Sequence, residues 1–283
     1  GDILVVVRVT GVGPGHDGVV HLAAQTGVPG SLADPRRDCE VNVIGTLNLL
    51  EACRAAQMVV AGDPRGKGAD EQGRSGAWVQ PGEGRGNLSW ALPHPGPSAP
   101  RLLRFVFASS NAAPGEHEPP LDETKPPHPV SPYGAAKLAG EAYCSAFHGA
   151  YGLGTVALRF ANVYGPYSRH KTSVVAKFIR RLLAGEPLLI YGDGCQTRDF
   201  VYVADIVGAI RSALESEVAG RVFQIATGVE TSVLDLVAAL SEVTGVTPEL
   251  RMVDQPPGEI RRNYASIELA RRDLHFDPVW ELR

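Results

Sequence analysis

A tyrosine and a lysine four residues apart are the clearest candidates for chemistry in this sequence. Tyr133 and Lys137 lie in SPYGAAKLAGEAYCSAFHGAYG, residues 131–152, which has the features of a helix, so both side chains leave the same helical face. An ammonium group beside a phenol favours the phenolate and lowers the pKa of the tyrosine, which a tyrosine general base requires. Surface helices also carry such pairs without any function, so a second feature must point to the same site.

Two serines provide that second feature. Ser109 and Ser110 end the β-rich run that begins with RFVFAS at residue 104. In open α/β sheets the binding and catalytic sites form at the carboxyl ends of the strands. A serine hydroxyl at this edge could share a proton with Tyr133.

The elements that must position these side chains alternate between strands and helices. Ser131 is a good helix N-cap, Pro132 suits the first helical position, and glycines at 149 and 152 should close the helix. Other strands are predicted over 19–24, 104–109, 155–165, 187–192, 200–203, 221–228, 249–254 and 261–265, and other helices over 39–56, 171–185, 204–216 and 231–245, the last capped by Thr231. In the helix over 39–56, the period places Val43, Leu47, Leu50 and Ala52 near one face. This alternation predicts an α/β fold with a doubly wound parallel sheet.

A glycine-rich stretch near the start resembles a phosphate-binding loop. In GVGPGHDG, residues Gly13, Gly15 and Gly18 form G-x-G-x-x-G after an apolar run. A dinucleotide-binding turn must be followed by a helix whose N-terminus holds the pyrophosphate, but here a second apolar strand, VVHLA, follows directly. Pro14 also removes a backbone donor. We therefore interpret this stretch as a glycine-rich surface turn.

Composition excludes several classes of function. The chain has 283 residues, 44% of them hydrophobic, and its net charge of -4 gives no reason to expect nucleic acid or an anionic membrane as partner. The cysteines show no metal-ligand or disulfide spacing, so they are interpreted as reduced thiols and no metal site is expected: Cys39, Cys53, Cys144 and Cys195. No apolar run could span a bilayer and no signal peptide is visible, so we expect a soluble, cytoplasmic protein.

The segment over 58–100 differs from the rest of the chain. It is dense in Gly, Pro, Arg and Ser and has no sustained period of 3.6 or 2. Such a composition cannot bury enough apolar surface to offset its ordering entropy. We expect a disordered insertion, with a functional lid as the alternative.

Six motifs follow one another in the order and spacing of a known family: HLAAQ, FASSNAAPG, SPYGAAK, LRFANVYGP, LLIYGDG and QTRDFVYVAD. With them the chain resembles the NAD-dependent epimerase/dehydratase family, the extended short-chain dehydrogenases/reductases, over almost its whole length outside the insertion. Within that family it is most similar to nucleotide-sugar 4-epimerases that act on UDP-hexoses or UDP-uronic acids. The resemblance implies a Rossmann-like dinucleotide-binding domain over 1–163 and a smaller α/β nucleotide-sugar-binding domain over 164–283. It also implies NAD as cofactor, a UDP-sugar as substrate and a homodimer.

The resemblance further implies roles for single residues. Tyr133 corresponds to the catalytic base, Lys137 to the residue that holds the nicotinamide ribose and tunes the tyrosine, and Ser110 to the catalytic hydroxyl. Further cofactor contacts are implied for Asp2, Ile3, Ala23, Ala24 and Ser109. Contacts to the substrate diphosphate are implied for Asn162 and Arg198, the guanidinium suiting phosphate through its bidentate fork. For Arg198 the alternative is an ordinary surface ion pair with Asp199.

This sequence also departs from the family pattern. GDI at residues 1–3 matches the end of the family's third strand, so the first two βα units, with the glycine fingerprint, are expected to be absent, and the family's last helix as well. Pro256 stands where relatives commonly carry a phosphate-contacting arginine, for which Arg261 or Arg262 are the possible substitutes. Tyr167, Ser168, His170 and Lys171 are expected on the sugar side.

The residues after Ser110 favour one reaction over another. Dehydratases of the family place an Asp-Glu pair there, because elimination of water needs an added acid and base, whereas this chain has Asn111 and Ala112. A 4-epimerase that acts through a 4-keto sugar is therefore the leading interpretation. A nucleotide-sugar dehydratase or decarboxylase and a non-catalytic truncated remnant are the alternatives.

Overall fold

The computed structural model describes residues 18–60, 104–168, 171–254 and 260–282. The predictions for Asp2, Ile3, His170, Pro256, most of GVGPGHDG and nearly all of the 58–100 segment lie outside these ranges.

The first half of the described chain supplies three strands and four helices. Between α2 and α3 the helix passes without a break through a π-helical turn, Glu40–Ile44, in which Gly45 N–H donates to the Glu40 carbonyl. The elements are β1 (Gly18–His21), α1 (Val28–Ala33), α2 (Pro35–Cys39), α3 (Gly45–Val60), β2 (Arg104–Ser110), α4 (Pro132–Tyr151) and β3 (Gly154–Phe160).

The second half contains shorter strands and four further helices. They are β4 (Asn162–Tyr164), α5 (Val174–Leu183), β5 (Leu188–Tyr191), β6 (Thr197–Arg198), β7 (Phe200–Tyr202), α6 (Val203–Glu215), β8 (Arg221–Ile225), β9 (Thr231–Ser232), α7 (Val233–Thr244), β10 (Leu250–Val253) and α8 (Glu268–Leu274).

A parallel sheet in the order β1-β2-β3-β8 forms the centre of the molecule. One face packs against α3 and α4 through a cluster that includes Phe105 and Phe107. The other face packs against α6 and α8 through a cluster that includes Val106 and Phe223. Because both faces are covered, β2 is an almost continuous buried apolar run. The predicted α/β fold with a parallel sheet and helices on both faces is confirmed.

Helix α4 lies unusually close to the sheet. Ser131 accepts a hydrogen bond from Gly134 N–H (3.1 Å) as N-cap, and Gly152 ends the helix at φ 67°, as predicted. A Cβ at Gly140 would stand 2.4 Å from the Phe107 ring, and one at Gly134 would stand 2.3 Å from the Ala112 carbonyl oxygen. Glycine at these two positions allows α4 to approach the end of β2.

Several predicted elements need correction. The single strand over 155–165 is divided at Ala161, because β3 pairs with β2 and β8 whereas β4 pairs with β7. The strand over 261–265 is replaced by an isolated bridge between Ala265 and Leu121. Helix α7 is capped by Ser232, which forms a capping box with Asp235, and not by Thr231.

The helical face predicted for 39–56 and the position of β8 also need comment. Ala52 is exposed, because α3 uses Leu49, Leu50 and Cys53 to face the sheet. Strand β8 lies beyond residue 164 and hydrogen-bonds β3, so the chain returns to the central sheet after the predicted domain boundary.

The four cysteine thiols are free, as predicted. None of the helices within the described ranges is both long and apolar enough to cross a membrane.

Candidate active site

Ser110 and Tyr133 meet at the carboxyl end of β2. Ser110 is the last residue of that strand, and Tyr133 lies in the first turn of α4. The Ser110 hydroxyl lies near enough to the Tyr133 phenol for its hydrogen bonding to favour the phenolate, and Ser110 Oγ accepts from Ala112 N–H (3.2 Å). The sheet and the N-cap of α4 therefore bring two of the predicted catalytic residues together.

Lys137 completes this group one helical turn later. Its Nζ donates to the Ala108 carbonyl (2.8 Å) and lies 5.8 Å from the centre of the Tyr133 ring. Burial lowers the pKa of Lys137 to about 8, and the negative charges of Asp38 and Glu141 oppose that change. An ammonium group has three donors, and the bond to Ala108 engages one of them.

The expected lowering of the Tyr133 pKa is wrong for this structure. Burial of the phenol raises the pKa of Tyr133 above its usual value, and the nearby charge of Asp38 raises it further. The hydrogen bond from Ser110 works in the opposite direction. Desolvation therefore outweighs the effect that the spacing of Tyr133 and Lys137 suggested.

A buried ion pair holds α4 to the sheet beneath the site. Arg159 on β3 donates from Nε (2.9 Å) and Nη2 (2.7 Å) to the two carboxylate oxygens of Glu141 on α4. The Ser109 hydroxyl also donates to Glu141 Oε1. The hydroxyl hydrogen of Ser109 is therefore committed to Glu141 on the α4 side of β2, which leaves its acceptor oxygen and its backbone for the predicted cofactor contact.

The loop after β1 contains Ala23 and Ala24, and a polar network anchors it. The Asn42 side chain accepts from Gln25 N–H (2.9 Å) and donates both to the Gln25 carbonyl (3.0 Å) and to Asp38 Oδ1 (3.0 Å). His21, at the end of β1, is hydrogen-bonded to Thr46 (2.9 Å), and burial lowers its pKa to about 4. The two alanines thus lie in an anchored loop that leaves β1 at the edge of the sheet where β2 also ends.

The sequence analysis did not identify Asp38 and Asn42 as site residues. Both are buried and polar, and they lie four apart on one helix. The spacing of the two polar residues is visible in the sequence. Its meaning depends on which face of the helix is buried, and the structure supplies that information.

The predicted substrate residues lie on neighbouring segments of the second half. Asn162 is on β4, and its backbone N–H donates to the Asp199 carbonyl (2.9 Å). Arg198 Nη1 donates to the carbonyls of Thr197 (2.7 Å) and Ile260 (2.9 Å). Asp199 is wholly buried, so the alternative of a surface ion pair between Arg198 and Asp199 is wrong.

The two arginines considered as substitutes for the family's arginine are held by carboxylates. Arg261 contacts Asp193 (3.1 Å), and Arg262 forms a bidentate pair with Glu230 (2.7 and 2.8 Å).

Tyr167 is 94% exposed, with φ 66°. The side chains of Asn111 and Asn263 meet at 3.5 Å, and Asn111 Oδ1 is buried without a hydrogen-bond partner in the part of the chain that the structure describes.

A dinucleotide fits the nicotinamide end of this site better than a metal ion does. Lys137 offers donors, Tyr133 offers a hydroxyl, and Ala23 and Ala24 are small and only partly buried. Among the described residues, no group of three or more His, Cys, Asp or Glu side chains could hold a metal ion.

Comparison with protein families matches residues 5–226 to the NAD dependent epimerase/dehydratase family. A putative UDP-glucose 4-epimerase of Methanocaldococcus jannaschii is 33% identical over 271 residues, 94% of this chain and 73% of the relative. An uncharacterized UDP-glucose epimerase of Bacillus subtilis is 36% identical over 183 residues, 64% of this chain and 58% of the relative. The matches also include a dTDP-glucose 4,6-dehydratase of Streptomyces niveus, 29% identical over 98% of this chain and 70% of the relative.

The solved structures that resemble this chain include further 4-epimerases of UDP-sugars. The UDP-N-acetylglucosamine 4-epimerase of Methanobrevibacter ruminantium, in complex with UDP-N-acetylmuramic acid, is similar with a TM-score of 0.74 and 31% identity, over 93% of this chain and 72% of that chain. The UDP-glucuronic acid 4-epimerase of Bacillus cereus, in complex with UDP-glucuronic acid and NAD, has a TM-score of 0.73 and 29% identity, over 94% of this chain and 71% of that chain.

Proposed function

This chain belongs to the NAD-dependent epimerase/dehydratase family, and we propose that it catalyses the 4-epimerisation of a UDP-sugar, either a UDP-hexose or a UDP-uronic acid. The observation that carries the proposal is the meeting of Ser110, Tyr133 and Lys137 at the carboxyl end of β2. A hydroxyl pair beside a buried ammonium group suits reversible proton transfer at a sugar hydroxyl.

NAD is the cofactor that this site would hold. Lys137 would bind the nicotinamide ribose through its remaining donors, and the anchored loop with Ala23 and Ala24 would lie beside it. When bound, NAD supplies the oxidation and the subsequent reduction of the sugar carbon.

Tyr133 would hold and move the proton of the hydroxyl at carbon 4 of the sugar. Tyr133 can accept that proton only as the phenolate, so its own proton must leave first; burial opposes that loss, and the hydrogen bond from Ser110 favours it. The raised pKa in turn keeps that proton on Tyr133 until it returns to the sugar oxygen. One residue can therefore serve both directions of an epimerisation.

The residues next to Ser110 support an epimerase over a dehydratase. Asn111 and Ala112 follow Ser110, and neither can act as an acid or a base. Glu141, the carboxylate one turn beyond Lys137, is bound by Arg159 and Ser109 and faces the sheet. Elimination of water would therefore lack the additional acid that dehydratases place next to the catalytic hydroxyl.

The second half of the chain would hold the nucleotide. We assign the contacts with the UDP diphosphate to Asn162 and Arg198, because the Asn162 N–H donates to the carbonyl of Asp199, which brings the backbone of Asn162 next to that of Arg198. We also assign a homodimer, formed through the outer faces of α3 and α4. Light scattering coupled to size-exclusion chromatography tests that assembly.

An assay of interconversion tests the proposed reaction. The protein is incubated with NAD and, separately, with UDP-glucose, UDP-galactose, UDP-glucuronic acid and UDP-galacturonic acid, and the products are analysed by proton NMR. We expect one pair of carbon-4 epimers to reach equilibrium from either member. No interconversion of any of the four by a protein that binds NAD, or formation of a 4-keto-6-deoxy sugar, would contradict the proposal.

A further inference from the structure

Asp38 is a buried carboxylate with an unusual environment. It lies on α2 and is wholly buried, and its Oδ1 accepts a hydrogen bond from Asn42 (3.0 Å). Its second oxygen, Oδ2, is also buried and has no hydrogen-bond partner among the described residues. A buried carboxylate oxygen without a donor is costly unless a positive charge lies close by.

The nearby positive charge is Lys137. Helix α2 packs directly against α4, and the charges of Asp38 and Lys137 each favour the ionised state of the other. Lys137 is 4% exposed, so it is subject to the same desolvation as Asp38. Each buried charge therefore offsets part of the desolvation cost of the other.

The same carboxylate is connected to the loop that follows β1. Asp38 orients the Asn42 amide, which in turn binds both backbone groups of Gln25. Asp38 is thus the point at which the Ala23–Ala24 loop and the catalytic helix α4 are connected.

We propose that Asp38 is a positioning residue of the active site: its buried carboxylate keeps the ammonium group of Lys137 charged and in place, and fixes the loop after β1 through Asn42. The proposal rests on the proposed function, because it gives Asp38 a role in the site of that reaction. Asp38 itself need not touch substrate or cofactor.

The other charged groups around Lys137 do not replace Asp38. Glu141 is paired with Arg159, so most of its charge is neutralised locally. His21 is buried and its pKa is lowered to about 4, so it is neutral near pH 7. The titratable and charged groups that face Lys137 are Asp38 from α2, His21 from β1, Tyr133 and Glu141 from α4, and Arg159 from β3 through its pair with Glu141.

Titration of Lys137 by NMR tests the proposal directly. The sequence has only five lysines, Lys67, Lys125, Lys137, Lys171 and Lys177, so the 13Cε signals of the full chain can be assigned by substitution. In Asp38→Asn, which keeps the acceptor for Asn42, the pKa of Lys137 should fall by about one unit. The control is Asp205→Asn, a buried carboxylate that accepts from the backbone of Val279 and Trp280, which should leave Lys137 unchanged.

A reverse titration keeps the proposal testable if Asp38→Asn does not fold. In Lys137→Met the carboxyl 13C signal of Asp38 should titrate at a higher pH than in the unaltered protein, because Lys137 lowers the pKa of Asp38. An unchanged Lys137 titration in folded Asp38→Asn, or an unchanged Asp38 titration in Lys137→Met, would overturn the proposal.

A pH profile then connects the pair to the reaction. In Asp38→Asn the alkaline limb of kcat/KM should move to lower pH by the shift measured for Lys137. A Lys137 shift without any catalysis by the unaltered protein would contradict the proposed reaction but not the charge pair. If Asp38→Asn catalyses the reaction and the alkaline limb of its kcat/KM profile lies at the same pH as in the unaltered protein, the proposed role of Asp38 is contradicted.

Discussion

At the scale of the residue, the site depends on what burial does to ionisable groups. Tyr133, Lys137 and His21 all have pKa values displaced toward their neutral forms, and desolvation is the largest cause for each. The hydrogen bond from Ser110 opposes the shift of Tyr133, and the charges of Asp38 and Glu141 oppose that of Lys137, whereas the charge of Asp38 adds to the shift of Tyr133 and that of Lys137 adds to the shift of His21. The phenol of Tyr133 is therefore in its protonated form near neutral pH.

Replacing Tyr133 by phenylalanine removes the group that holds this proton. Tyr133→Phe should lower kcat by about 100-fold or more, the usual cost of losing general acid-base assistance, with little change in the thermal unfolding midpoint. Steady-state kinetics and differential scanning calorimetry measure the two effects. Tyr143→Phe on the same helix is the control, since its ring is exposed, and turnover close to normal in Tyr133→Phe would remove the catalytic assignment.

His21 gives a prediction about stability at acid pH. Its pKa is lowered from 6.5 to about 4 in the folded protein, so between these values the unfolded chain binds the proton and the folded chain does not. The free energy of unfolding should therefore fall as the pH drops from about 6.5 to about 4, by up to about 3 kcal/mol from this residue.

Urea unfolding at a series of pH values measures this effect. His21→Gln should show a flatter decline over the same range, whereas His128→Gln, at an exposed position, should follow the unaltered protein. Parallel curves for His21→Gln and the unaltered protein would show that His21 does not titrate in this way.

At the scale of the element, the close approach of α4 to β2 sets the geometry of the site. The glycines at 134 and 140 permit that approach, and Gly134 directly follows Tyr133. The contact at Gly134 is with a backbone carbonyl, which cannot move aside as a side chain can.

Gly134→Ala should therefore displace the first turn of α4 and reduce turnover, and should destabilise the fold by about 1–3 kcal/mol. Gly149→Ala is a matched control on the same helix, because a Cβ there has no neighbour within 4 Å. That change should stabilise the protein by about 0.5–1 kcal/mol through helix propensity and leave turnover unchanged. Chemical denaturation measures the free energy of unfolding of both variants, and steady-state kinetics measures their turnover. Equal stability and equal turnover of the two variants would show that the approach of α4 to the end of β2 is not tight.

The sequence predicted α4 well because its signals are local. Ser131, Pro132 and Gly152 mark its ends, and the spacing of Tyr133 and Lys137 follows from the helical period. The division of β3 from β4 was not predictable in this way, because both segments are extended and only their different partners separate them. The pair of Glu141 and Arg159 likewise depends on which strand lies beneath α4, and the raised pKa of Tyr133 depends on its burial in the assembled site.

At the scale of the whole molecule, one carboxylate joins the segment between β6 and β7 to the end of the central sheet. Asp199, between β6 and β7, accepts from Thr227 N–H (2.8 Å), Thr227 Oγ1 (2.7 Å) and Gly228 N–H (2.9 Å) just after β8. Its backbone carbonyl accepts from Asn162 N–H (2.9 Å). The end of the central sheet and the segment proposed to bind the diphosphate thus share this residue.

Asp199→Asn should destabilise the protein by about 1–3 kcal/mol, because an amide nitrogen would face backbone donors that the carboxylate now satisfies. Asp254→Asn, an exposed change next to β10, should have an effect within about 0.5 kcal/mol. Guanidinium unfolding compares the two variants. Equal midpoints would show that the junction does not depend on the charge of Asp199.

The π-helical turn between α2 and α3 restricts changes in the length of this helix. By accommodating one residue more than an α-helical turn, it sets the angular phase between Asp38 before it and Leu49, Leu50 and Cys53 after it. Deleting one residue from the α-helical winding on either side of this turn, between Asp38 and Leu49, would rotate one end against the other by about 100°. Either Asp38 would turn away from Lys137 or the apolar face of α3 would turn away from the sheet. The length of this helix is therefore fixed to the single residue, although most substitutions on its outer surface would be tolerated.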